Sequence, residues 1–230
     1  MASALGPART AAHIPPGRAA VVDLPLAPPK IAKLRLDRRG YPVPWFVHWR
    51  DGEPDFRIID AGKRLRAYLT GLCWICGEPL GRHRVFAIGP MCLINCITME
   101  PASHRACAEY AVKACPFMTQ PRRRRNDIDM PEGYTADGDM IERNPGVTAL
   151  VEAKSYRRFA DGKGGWLIRL EEPARVDWWA RGRQATRAEV KASFESGYPL
   201  LFTPADAEGA DAVAELEKLT VAAMRWLPAA

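Results

Sequence analysis

The chain has 230 residues, 47% hydrophobic and 26% charged, a length and balance that allow one large or two small globular domains and exclude wholesale disorder. Lys and Arg outnumber Asp and Glu by 33 to 27, so the net charge of +6 favours anionic partners. No apolar run reaches membrane-spanning length, the segment before Pro15-Pro16 lacks the continuous hydrophobic region of a secretory signal, and free thiols suit a reducing compartment, so a cytoplasmic protein without a membrane partner is expected.

Residues 1–29 are rich in Ala and Pro and lack apolar periodicity, which predicts a flexible arm. Basic and apolar side chains alternate over 31–36, as in a half-buried strand. An aromatic, β-prone run over 41–49, the turn Asp51-Gly52 and a returning strand at 55–59 then make a hairpin. Asp60 caps a short helix through Leu69, ended by Gly71. After a cysteine pair at 73–76, residues 84–88 and 91–97 read as two apolar strands about Gly89-Pro90. Ser103 is a good N-cap for a helix over 103–115, stopped by Pro116.

Residues 121–145 form a basic and polar linker, and 146–230 a small unit of their own. In that unit, 147–154 is strand-like, the glycine-rich turn 161–165 leads into a strand at 166–170, and 176–179 adds a third. Thr186 and Glu189 form a capping box for a helix through about Glu195, closed by Ser196-Gly197. A last helix fits 207–226, where Val213, Leu216, Leu219, Ala223 and Trp226 make an apolar stripe. The expected fold class is α+β: a hairpin and metal module over 30–120, followed by a C-terminal α+β unit.

All six cysteines fall within 73–115. Cys73 and Cys76 form a C-x2-C-G knuckle, and after 27 intervening residues His104 and Cys107 form an H-x2-C pair. Two chelating pairs of thiolate and imidazole donors suit a tetrahedral zinc ion, closed and structural because all four positions are protein. A helix N-terminus under the second pair would favour the thiolate through its unpaired N–H groups. Cys115 lies about 12 Å further along that helix, too far to join the same ion. Cys92 and Cys96 would be about 13 Å apart on a strand, although a tight turn after Gly89-Pro90 would admit Cys92 in place of His104. An iron–sulfur centre is the alternative cofactor and would require four cysteines.

Knuckle, hairpin and a helix carrying the last ligands is the order of a treble-clef zinc finger, which residues 72–116 resemble in ligand pairing and element order. The pattern CWICG, IGPMC, H-x2-C-A and CPF also resembles a group of bacterial and phage proteins without an assigned function. The treble clef serves nucleic-acid binders, protein adaptors and HNH-type nucleases, so the resemblance implies no single role. The nuclease branch is departed from. His83 and Asn95 are present, but no His-Asn-His series follows the required order once His104 is a ligand. No G-x-S-x-G elbow, H-E-x2-H or dinucleotide glycine set occurs, so no catalytic residue is assigned.

Charge is uneven along the chain. Residues 1–115 hold 16 Lys and Arg against 9 Asp and Glu, and residues 116–230 hold 17 against 18. Arg122, Arg123, Arg124 and Arg125 follow the ligand helix directly and can grip phosphates without reading sequence. Arg38 and Arg39 sit among Tyr41, Trp45 and Trp49, which serve either as stacking platforms or as the core of a small sheet. The expected function is therefore a zinc-binding protein that contacts nucleic acid through a basic surface; the alternatives are an adaptor that contacts another protein and, third, a zinc hydrolase or nuclease in which water takes one of the four positions.

Overall fold

The computed structural model describes residues 23–123 and 144–229. Most of the 1–29 arm and of the 121–145 linker, including Arg124 and Arg125, lies outside the described residues.

The first element is not the strand expected over 31–36. It is a single helical turn, α1 (Pro29–Ala32), started by a proline whose fixed φ suits a first helical position. Only Ile31 is buried, and Leu36 makes just an isolated bridge to Pro42. The hairpin follows as expected: β1 (Val47–Arg50) and β2 (Glu53–Ile59) pair antiparallel with Arg50 opposite Glu53. Both turn residues take positive φ, Asp51 at 50° and Gly52 at 83°, the twist that matches a hairpin. In α2 (Ala61–Thr70) the Asp60 carboxylate accepts the Lys63 N–H, and Gly71 ends the helix in the left-handed conformation.

Past β3 (Val85–Ile88) the chain does not stay extended. The 91–97 strand is instead a helix, α3 (Pro90–Asn95). Pro90 opens it, and Pro90, Met91, Leu93 and Ile94 bury one face at helical spacing, a pattern that a six-residue apolar run shares with a buried strand. Only β4 (Ile97–Thr98) is extended there. Helix α4 (Arg105–Ala114) is capped by His104, not Ser103, because the Ser103 backbone exchanges two hydrogen bonds with Val85 of β3. Pro116 ends α4 and opens a further turn, α5 (Pro116–Thr119).

The second half supplies β5 (Thr148–Ala153), β6 (Tyr156–Ala160), β7 (Trp166–Leu170), β8 (Pro173–Ala180) and β9 (Arg183–Gln184). Strand β6 was not expected, and it is the hairpin partner of β7 across the 161–165 turn. Helix α6 (Arg187–Glu208) has the predicted capping box but passes through Ser196-Gly197 and two internal prolines. Gly197 packs into the interior there, so it does not act as a stop. The chain breaks at Gly209, with φ 114°, before α7 (Ala210–Met224), which buries Leu216 and Ala223 of the predicted stripe.

Two antiparallel sheets join the halves. One runs β3-β5-β8-β9, the other β4-β7-β6, so strands from 30–120 and from 146–229 share both. The main core lies between sheets and helices, with Phe86, Ile94, Val151, Ile168, Trp178, Val190 and Phe194 among its buried members. A second cluster surrounds the cysteines, and a third, with Val85, Ala108, Val112, Leu150 and Trp179, binds α4 to the first sheet. Among the described residues no helix is long and apolar enough to cross a membrane.

Candidate metal centre

Cys73 and Cys76 sit on a tight loop held by its own backbone. The Gly77 N–H bonds the Cys73 carbonyl at 2.8 Å, the Cys73 N–H bonds the Glu78 carbonyl at 2.8 Å, and Leu72 bridges Pro79. Gly77 has φ 74°, and a Cβ there would lie 2.6 Å from Cγ of Trp45, so the knuckle demands glycine twice over. Trp74 and Ile75 point away from the donors: Trp74 stacks on Phe46 at 4.5 Å, and the Ile75 carbonyl accepts the Trp45 N–H at 2.7 Å. The preceding hairpin thus braces the knuckle from behind.

The second pair comes from the start of α4. With His104 at the cap and Cys107 in the first turn, both face the knuckle. The donor atoms of Cys73, Cys76, His104 and Cys107 all lie within 4.8 Å of one another. The Nδ1 atom of His104 is 3.4 Å from the Cys76 sulfur and 3.8 Å from that of Cys107. A tetrahedral zinc with sulfur at about 2.3 Å and nitrogen at about 2.0–2.1 Å sets its donors about 3.6–3.8 Å apart. The group therefore has the spacing such an ion needs and can hold a metal.

The Nε2 atom of His104 lies 3.0 Å from the Pro79 carbonyl, and in the tautomer that donates an Nε2–H there the Nδ1 lone pair faces the sulfurs. The Lys30 ammonium, also 3.0 Å from Nε2, is anchored by Glu78 at 3.3 Å. The His104 N–H points at the Cys73 sulfur at 3.4 Å. Hydrogen bonds from the Cys107 and Cys76 side chains, then from backbone N–H groups, hold the Cys73 thiol well below the usual range, and its bond to Cys73 pushes the Cys107 thiol up. Three sulfurs this close cannot all ionise unaided, whereas a divalent cation would stabilise all three as thiolates. Cys73 and Cys107 are almost fully buried and Cys76 nearly so.

The other cysteines are placed elsewhere. Cys92 lies on α3 against the main core, where burial pushes its thiol up to about 11. Cys96 caps α3 with φ 52°, and Cys115 follows α4 beside a groove.

Next to His104, Arg105 forms a charge network that pattern reading missed. Its guanidinium donates to Glu152 of β5 at 2.6 Å and to Asp177 of β8 at 2.8 Å. Glu152 also meets Nδ1 of His83 at 2.5 Å, and the His83 and Arg105 contacts hold its carboxyl below the usual range. Both acids read as ordinary solvent-facing strand positions. Only the antiparallel pairing of β5 with β8, which sets Leu150 opposite Asp177 and Glu152 opposite Arg175, brings them under α4.

The expected phosphate-binding arginines are unevenly placed. Arg38, Arg122 and Arg123 are exposed, and none forms a salt bridge among the described residues. Arg39 is exposed but bonded to Asp37 at 2.8 Å and lies over Tyr41 and Phe56. Of the three aromatics, Trp49 carries Arg35 at 3.9 Å, whereas Trp45 packs behind the knuckle. A cavity of about 920 Å³ opens between the hairpin and α4–α5, lined by Phe46, Ile58, Ile75, Tyr110, Phe117 and Glu100. Burial raises the Glu100 carboxyl to about 7. No family model matches this chain, and comparison with curated proteins and with solved structures gives no match.

Proposed function

We propose that the chain is a zinc-binding protein in which the ion, held by Cys73, Cys76, His104 and Cys107, is structural, and that its basic surface contacts nucleic acid. The observation that carries the metal assignment is the convergence of three sulfurs and one imidazole nitrogen within 4.8 Å. The donor chemistry favours zinc over an iron–sulfur cluster, which would take a fourth cysteine where His104 stands. Four protein donors leave no position for an activated water, so the ion supplies folding energy and not hydrolysis. Its role is to fix knuckle to helix, and through α4 to fix both to the first sheet.

The nucleic-acid reading is supported by the basic excess of residues 1–115 and by exposed Arg38, Arg122 and Arg123 beside the metal module. It is tested by titrating the full chain at low salt with duplex DNA, single-stranded DNA and RNA. Replacing Arg122, Arg123, Arg124 and Arg125 by Ala should lower the slope of log affinity against log salt by up to about 4 on duplex DNA, near 0.9 for each phosphate no longer neutralised. Absence of binding to all three refutes it. The groove favours a second reading, a protein-interaction adaptor, because exposed Phe56 and Phe117 at its rim offer an apolar anchor site. Binding that changes little with salt would mark that case.

A further inference from the structure

The β4-β7-β6 sheet turns one face to the core, where Thr98, Ile168 and Leu170 are buried. Directly paired residues share a face of an antiparallel sheet, so the register gives the outer face. Arg157 stands opposite Arg169, Arg169 opposite Ile97, and Phe159 opposite Leu167. Both arginines are exposed, and Phe159 and Leu167 are half-buried. Two like charges directly across a ladder destabilise it, and neither guanidinium forms a salt bridge among the described residues. The adjacent acid, Glu171, is bonded to the Ser155 hydroxyl. Arg169 lies over the Phe159 ring, 5.2 Å from its centroid. Around the edge of the same hairpin, exposed Arg158 covers Tyr68 and Trp166 at 5.8 and 5.5 Å.

An uncompensated arginine pair calls for an anion that can meet both guanidiniums, and phosphate oxygens accept the paired N–H donors of each planar fork. The Phe159 ring, one pair further along the same face, adds a second requirement. A base can stack on Phe159 only when it is not already stacked within a duplex, so this face distinguishes an unpaired strand. We infer that the outer face of β6 and β7 is a platform for single-stranded nucleic acid, with Arg157 and Arg169 on adjacent phosphates and Phe159 beneath a base. This rests on the nucleic-acid reading above but assigns the contact to a surface distant in sequence from residues 122–125. The phosphates supply the counter-charge that the sheet lacks.

The test titrates the full, metal-loaded chain with fluorescent oligothymidylate, oligouridylate and a duplex of equal length over a range of salt. The double variant Arg157→Ala, Arg169→Ala should lower the single-strand salt slope by about 1.4, near 0.7 for each phosphate. Phe159→Ala should weaken single-strand binding about tenfold, and Phe159→Tyr should keep it. Because the arginines repel each other, Arg157→Ala should leave the melting temperature unchanged or raise it, which separates a binding defect from a folding defect. A parent that binds single strands equally well after both the double substitution and Phe159→Ala overturns this inference alone. A parent that binds no nucleic acid overturns both it and the reading beneath it. Equal losses on duplex and single strand, with Phe159→Ala silent, overturn the single-strand platform.

Discussion

Stripping the metal should melt one part of this fold and spare another. Seven buried residues make up the cluster around the donors, and three of them, Cys73, Cys76 and Cys107, are themselves candidate donors. The large apolar side chains left are Ile31, Ile75 and Tyr110. Burying these three contributes about 5–9 kcal/mol, against about 10–16 kcal/mol for a structural zinc at neutral pH. A zinc bound there would therefore stabilise the module more than its apolar burial does. The main core holds 19 buried residues and no ligand, and it is closed by the β5–β8 and β6–β7 ladders. A strong chelator followed by amide hydrogen exchange should thus deprotect residues 73–79 and 105–114 first, while 149–153 and 166–170 keep most of their protection. Cys73→Ser and Cys107→Ser should reproduce the pattern, and Cys115→Ala should not. Unchanged exchange at 73–79 after complete metal removal would refute the reasoning.

Arg105→Ala should cost about 2–3 kcal/mol in urea unfolding, below the value for a fully buried pair because Glu152 and Asp177 remain 18% and 20% exposed. Gly77→Ala should cost about 2–4 kcal/mol, since it combines a left-handed backbone with a clash against Trp45, and zinc affinity should fall with it. The Arg183 guanidinium, then the Thr186 N–H, hold the Glu189 carboxyl down to about 2, beneath its unfolded value near 4.3. Its contribution is fully present above about pH 5 and is lost as pH falls toward 2. With Arg183 half exposed, that contribution is about 1 kcal/mol, and Glu189→Gln should flatten the acid limb of stability against pH by that amount.

Local chemistry made some of this legible in advance. The Asp51-Gly52 turn, the Asp60 and Gly71 caps and the Thr186–Glu189 box each act within a few residues, and each stands where the chain predicts it. The donor pairs were legible for the same reason, because two residues of spacing within each pair dictate chelation from one turn. What could not be read was decided by distant partners. Residues 90–95 bury the same side chains as strand or helix, and Pro90 against the packed sheet settles for helix. Ser103 lost the cap to His104 because Val85, 18 positions earlier, claims its backbone. Glu152 and Asp177 gained meaning only when β5 and β8 paired beneath Arg105. The Arg157–Arg169 pair likewise depends on the register of a hairpin whose first strand carries no strong alternation.

Zinc K-edge X-ray absorption on the purified full chain, together with its metal stoichiometry, tests the central claim most directly. One zinc per chain with three sulfur scatterers near about 2.3 Å and one nitrogen near about 2.0–2.1 Å is the predicted result, with one sulfur lost in Cys107→Ser. A chain purified without stoichiometric metal, an iron–sulfide signal, or a shell containing a water oxygen in place of the His104 nitrogen would contradict it.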